Sequence, residues 1–401
     1  MNDVTMSSKK IHWTKATWLF VVGIALIAMT LRTPLTVVGP VIADVRESTG
    51  ISNILAGFLT TIPLLAFALF SPFTSKIARR YGIERTLFAS MFILAIGIMI
   101  RINFGVYGLL IGTFFIGIAI SFGNVLMPSY LKLRFPLQIG LMMGLYSVSM
   151  NVSAGLASGI SYPLAQTTFN WQGAFSFSLI FVILAIIMWL PQLKHHVPIT
   201  STTTETPALP LWRSPLTWAI ALMMGLQSLL FYTTAAWVPE MLVSQGMTAK
   251  EAGWTFSLMM LSQLPMTFLI PMIASNMSTH RAIVFGFSAC YIIGFIGLYM
   301  KWTSLAPLWM VLLGLAGGAS FSLVMMLFTL RTESIFVSAE LSGFAQSTGY
   351  LLAAIGPTFF GFLYDLSGNW DIPAFSFILA SIVLFASALY ASQQKTVEST
   401  L

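Results

Sequence analysis

Twelve apolar stretches, each long enough to cross about 30 Å of hydrocarbon as a helix, constrain this chain of 401 residues more than any motif in it. They are drawn at 17–42, 52–74, 86–103, 106–129, 138–164 and 172–190, then at 214–238, 250–274, 281–300, 305–330, 341–363 and 372–391. Composition agrees, since 57% of residues are hydrophobic and 8% charged, where soluble domains carry roughly 25% charged residues. Lipid is the solvent for most of the chain. The expected fold is all-α and polytopic, twelve helices in two groups of six.

Other classes are disfavoured by the same residues. Lys9, Lys10 and Lys15 precede the first run as they would in a secretory signal, but the run is too long for a signal core and lacks an A-x-A site. It reads as an uncleaved span. The net charge of +7 comes from basic residues scattered over short loops, with no aromatic-basic module, so no nucleic-acid partner is expected. Cys290 is a lone cysteine inside an apolar run, which excludes an intrachain disulfide and a cysteine cluster for metal. No metal or cofactor is expected. The chain has no G-x-x-x-x-G-K-[ST] loop for ATP, and no H-E-x-x-H, G-x-S-x-G or embedded carboxylate pair. Neither an ATP-driven pump nor an enzyme fits.

Charge sets the orientation. With the N-terminus inside, fourteen of the nineteen basic residues fall on inner segments, four (Arg46, Arg101, Lys250 and Lys301) lie outside, and Arg32 lies within a span. The positive-inside rule then places both termini in the cytoplasm, as expected of a protein in a bacterial cytoplasmic membrane. The segment from Pro191 to Trp212, with His195, His196, the run Ser201 to Thr204 and several prolines, is polar and reads as a cytoplasmic linker. The expected organisation is a tail at 1–16, a six-helix bundle at 17–190, a linker at 191–213, a second bundle at 214–391 and a tail at 392–401.

An internal repeat supports that division. Asn170-Trp171 followed by Ala174 to Phe177 returns as Asn369-Trp370 followed by Ala374 to Phe377, at offsets of 199 and 200, and Pro40 and Pro239 also differ by 199. Two six-helix repeats joined by a linker fit an alternating-access carrier with its ligand near midplane between the halves. Duplicated channels also exist, and fold alone does not choose.

Six segments together resemble the major facilitator superfamily, in its cyanate and nitroimidazole transporter branch: Thr30 to Pro34, Thr60 to Pro72, Ala78 to Arg85, Gly123 to Pro128, Trp212 to Pro215 and Ala345 to Tyr350. The superfamily's loop signature G-x-x-x-D-R-x-G-R-R is only partly kept. Ser75 stands at the first glycine, Arg79 at the aspartate, and Gly82 keeps the turn glycine. Lys76, Arg79, Arg80 and Arg85 are accounted for as a basic loop that fixes topology. The resemblance implies a cavity lined by spans 1, 4, 7 and 10 and flanked by 2, 5, 8 and 11, a small-molecule substrate, and a carrier that works as a monomer.

Arg32 is the leading candidate within such a cavity. A charged side chain near the bilayer centre costs about 2.5–3.5 kcal/mol on insertion scales. At about 15 Å from the end of its span it is too deep to snorkel. Glu240, Glu340 and Asp365 all lie near helix ends, so no carboxylate stands ready to pair with it. Substrate counter-charge, or a contact to helix carbonyls, remains. Thr36 shares its helix face, while Pro34 and Pro40 are expected to bend span 1 or free a carbonyl. Arg101, near the outer end of its span, is expected to snorkel.

The other polar candidates for substrate contact are Asn124, Tyr146, Asn151, Gln227, Tyr232, Gln263, Gln346 and Tyr350, with Trp254 as a stacking surface. An interhelical hydrogen bond is the competing reading for each. The repeat places Ser147 opposite Gln346 and Asn151 opposite Tyr350. Gly140-x-x-x-Gly144, Gly155-x-x-x-Gly159 and Gly314-x-x-x-Gly318 read as close helix packing. All four histidines, His12, His195, His196 and His280, fall in tails or loops. That argues for facilitated transport or for an ion travelling with the substrate. Export of toxic compounds by proton coupling is the alternative, and a channel the next.

Overall fold

A computed structural model describes residues 15–51, 53–195 and 209–401. Lys9, Lys10, His12, His196 and the run Ser201 to Thr204 lie outside the described residues. Twelve helices are long and apolar enough to cross a membrane, and no strand occurs among the described residues. We number them α1 (Lys15–Thr30, with its continuation Thr33–Thr36), α2 (Asn53–Tyr81), α3 (Ile83–Asn103), α4 (Gly105–Arg134), α5 (Ile139–Ala165) and α6 (Asn170–Trp189). The second half holds α7 (Pro215–Ser244), α8 (Ala249–Ser275), α9 (Arg281–Tyr299), α10 (Ala306–Leu330), α11 (Ile335–Ser367) and α12 (Asp371–Ala391).

Several helices outrun their apolar cores. α2 continues to Tyr81 and α11 begins at Ile335, because hydropathy marks only the part that sits in hydrocarbon while polar turns extend the same helix into the interface. Gly82 takes φ 88°, a left-handed conformation that suits glycine, and turns α2 into α3.

Span 1 is not one helix. It stops at Thr30, resumes for Thr33–Thr36, tightens at Gly39–Val41 and ends in the polar helix Ile42–Thr49. Pro34 and Pro40 have no N–H, so the carbonyls of Thr30 and Thr36 lose their helical donors. Threonine hydroxyls beside the break fold back onto the preceding turn: Thr30 donates to Ile27 O at 2.7 Å and Thr33 to Met29 O at 2.6 Å.

Burial sorts the twelve helices. In their most apolar stretches α1, α4, α7 and α10 are 61–78% buried, against 56% or less in the other eight. The third helix of each triplet shows much apolar surface, with Ile96, Ile183, Ile293 and Val383 each at least half exposed. In water such surfaces would aggregate; in a bilayer they meet their own solvent.

Polar and close-packed contacts tie the halves together on one side. At the side where α6 ends and α7 begins, here the linker side, Arg79 on α2 pairs with Glu340 on α11 at 2.7 Å. Lys132 at the end of α4 donates to the Thr329 carbonyl at 2.7 Å and also to that of Thr332, at the C-terminus of α10, where the helix dipole favours a cation. Ser129 donates to Ser338 at 3.2 Å. A methyl on Gly140 or Gly144 of α5 would lie 2.6 Å from the Pro271 carbonyl or 2.9 Å from that of Phe268 on α8. Toward the far side the same two helices part, and a methyl on Gly155, Gly159 or Gly253 would meet nothing within 4 Å. Arg79 thus does more than the topological role expected of it.

The C-terminal tail is folded against the linker side. Val397 N–H donates to Arg331 O at 2.8 Å, Glu333 N–H to the Glu398 carboxylate at 2.8 Å, and Ser214 and Thr400 share a 2.6 Å hydroxyl contact.

Candidate functional site

The break in α1 puts Arg32 where two helices would otherwise be continuous. Arg32 is the residue before the Thr33–Thr36 turn, with φ −114° and ψ −38°, and its carbonyl accepts from Leu35 and Thr36 at 3.0 and 3.1 Å. Its side chain, half-buried, crosses to the other half, where the guanidinium carbon lies 5.5 Å from the ring centre of Phe321 on α10. A cation at that distance is drawn to the ring face.

Three tyrosines lie within range of its charge. The Arg32 charge acts on the hydroxyls of Tyr146 on α5, Tyr232 on α7 and Tyr350 on α11. Two of the rings are braced by aromatic neighbours, Tyr350 by Phe67 of α2 at 5.0 Å and Tyr232 by Phe231 at 5.2 Å. Beneath them runs an amide relay. The Tyr146 hydroxyl is 3.5 Å from Asn124 Oδ1, the Asn124 carbonyl accepts from Gln346 Nε2 at 3.1 Å, and Gln346 also donates to Ser342 Oγ at 2.9 Å. That relay joins α4 to α11 and so spans the two halves.

The cluster therefore gathers Arg32, Asn124, Tyr146, Tyr232, Gln346 and Tyr350. Gln263 stands at its flank: its amide oxygen faces Gly317 of α10, one turn from Phe321. The remaining candidates are engaged in other contacts. Thr36 Oγ1 donates to the Arg32 carbonyl at 3.2 Å, Asn151 Nδ2 to the Ser147 carbonyl at 3.0 Å, and Gln227 Nε2 to Met224 O at 3.1 Å and Ser228 Oγ at 2.7 Å. Each is satisfied within its own helix. Trp254 is 70% exposed and shares a helical stripe with Leu261, Leu269 and Ile273, all exposed, so it faces outward rather than toward Arg32.

Arg101 corrects the expectation that it snorkels. It is 1% exposed, and its Nη1 donates to the Pro34 carbonyl at 2.8 Å. Its helix ends nearby, but the side chain turns inward under the broken span. Sequence reasoning also missed Phe321 and Phe67. With 32 phenylalanines in the chain, no single one stands out.

The comparisons with known proteins agree with this architecture. The sequence profile of the Major Facilitator Superfamily matches residues 20–357. The chain belongs to the major facilitator superfamily. It is 42% identical over 94% of its length to an uncharacterized transporter of Bacillus subtilis (strain 168), YycB, also over 94% of that protein. It is 37% identical to the 2-nitroimidazole transporter of Escherichia coli (strain K12), over 94% of this chain and 96% of that one. To the cyanate transport protein CynX of the same organism it is 26% identical, over 86% of this chain and 90% of that one. These relatives place it in the cyanate and nitroimidazole transporter branch. Its fold matches the solved proton:xylose symporter XylE at a TM-score of 0.76, with 14% identity, over 96% of this chain and 99% of that one. It is a multi-pass integral membrane transporter of small solutes.

Proposed function

We propose that the chain carries a small π-bonded solute, an anion such as cyanate or a nitrogen heterocycle such as 2-nitroimidazole, by alternating access. The observation that carries this reading is the position of Arg32, which reaches across the halves to Phe321 amid three tyrosines. A guanidinium supplies charge and donors to an anion or nitro group. Aromatic walls accept a flat solute without demanding directional bonds.

The groups gathered round Arg32 are aromatic rings, hydroxyls and amides. None of those is a proton relay at neutral pH, which favours facilitated transport, or an ion moving with the substrate, over proton-coupled export of toxic compounds. The seal on the linker side favours a carrier over a channel. With both termini, the linker 191–213 and the C-terminal tail in the cytoplasm of a bacterial cell, bundles 17–190 and 214–391 stand here open outward. The working unit is a monomer.

Counterflow into liposomes tests the class. Preloading with unlabelled cyanate or 2-nitroimidazole is expected to accelerate uptake of the labelled compound, saturably. Uptake that is linear in concentration, or unitary currents in planar bilayers, would contradict a carrier.

A further inference from the structure

Arg101 is a buried cation outside the substrate cluster. It sits in α3 with Phe175 of α6 over its guanidinium, the ring centre 4.3 Å from the guanidinium carbon. Its one hydrogen bond goes to Pro34 O, while Nε and Nη2 find no partner among the described residues. Enclosing a charge for a single carbonyl is costly, so what that carbonyl holds matters. Pro34 lies in the turn Thr33–Thr36 that follows Arg32, and carbonyls at the end of so short a helix need donors from outside it. On the other side of the break, Ser153 of α5 donates to Met29 O at 3.2 Å. The segment bearing Arg32 is thus gripped at Met29 from α5 and at Pro34 from α3.

We propose that Arg101 is a positioning residue for substrate recognition, fixing the aim of Arg32 by holding the Pro34 carbonyl against α3. This rests on the reading of Arg32 as the group that meets substrate. A charge-assisted bond suits the task because it is short and strong, and Phe175 keeps the guanidinium from turning away. Arg101 is enclosed, so water cannot readily replace the bond if the side chain is removed.

Two readouts in full-length protein in lipid nanodiscs test it. In Arg101→Met, affinity for cyanate or 2-nitroimidazole is expected to weaken about tenfold or more, the loss of one charged hydrogen bond. The maximal counterflow rate should change by less than about threefold, and Arg101→Lys, which retains a charged donor, should recover most of the affinity. Separately, Arg32→Cys in a Cys290→Ser background is labelled with a methanethiosulfonate reagent. Adding Arg101→Met should alter that labelling rate at least about fivefold, because the segment has lost one of its two holds.

The labelling does not depend on Arg32 touching substrate. If Arg32→Gln binds both probes as wild type does while Arg101→Met changes labelling, the reading of Arg32 fails and the positioning role stands. Unchanged labelling and affinity in a folded Arg101→Met protein overturns the proposal. Should that variant not fold, Phe175→Leu, which frees the guanidinium without removing it, is expected to shift both readouts in the same direction. No shift there overturns it equally.

Discussion

Two arginines in apolar spans show what a sequence can and cannot reveal about a residue. Arg32 was legible because a charge inside an apolar run demands a reason, and the lack of a carboxylate near it narrowed that reason. Arg101 was misread because its distance from the end of the span allows snorkelling, while the direction of its side chain depends on how α3 packs under the break in α1. His280 raises the same issue outside the membrane. It is buried between α8 and α9, with Nε2 3.0 Å from Ala274 O and Nδ1 2.8 Å from Arg331 Nη2. Arginine can only donate, so Nδ1 accepts and the ring is neutral. Burial, followed by the Arg331 charge, pushes its pKa below the usual value, against a rise from the Ala274 carbonyl. The unfolded chain therefore binds a proton that the folded one refuses. This stability is present above the ordinary histidine pKa of about 6.5 and is lost as pH falls through it toward the lowered one. Thermal midpoints in detergent should drop more between pH 7.5 and 5.5 for wild type than for His280→Gln, by about 1–2 °C. Equal drops would contradict the assignment.

Among the helices, the apolar runs foretold number and order, and missed chiefly the ends and the break in span 1. Prolines marked that break, but only packing decided that Thr30 to Thr33 would open rather than bend. The glycine pairs were read as packing, which Gly140 and Gly144 confirm. Gly155 and Gly159 stand open. α5 and α8 run antiparallel, and Gly140 against Ser275 and Gly144 against Phe268 fix their register. Continued about 22 Å along the same helix face, that register sets Gly159 opposite Gly253 and Gly155 opposite Ser257. These four small residues are expected to meet when the far side closes. A Gly159→Cys/Gly253→Cys pair in a Cys290→Ser background should form a disulfide under mild oxidation, faster with substrate present, and the disulfide should stop transport until reduced. No cross-link, in a protein that still transports, would contradict the register.

Across the whole molecule, the repeat anticipated two six-helix halves, while the contacts that join them were hidden. Arg79 stands where the superfamily's signature has an aspartate, and its partner Glu340 is 261 residues away, so no local pattern pairs them. Lys132 is no more readable, since its acceptors are backbone carbonyls of α10. The cluster around Arg32 was legible by residue type in six of its members, because polar groups in spans are few. Its aromatic walls were not, because aromatics in spans are many. What unites these scales is a cation carried by one half and aimed at the other. Direct calorimetric titration of cyanate and 2-nitroimidazole into full-length protein in nanodiscs, wild type against Arg32→Gln, tests that claim most directly. The account predicts that wild type binds at least one of the two, and that Arg32→Gln weakens cyanate about tenfold or more and 2-nitroimidazole less. Wild-type affinity retained by Arg32→Gln, or a wild-type protein that binds neither compound, would contradict it.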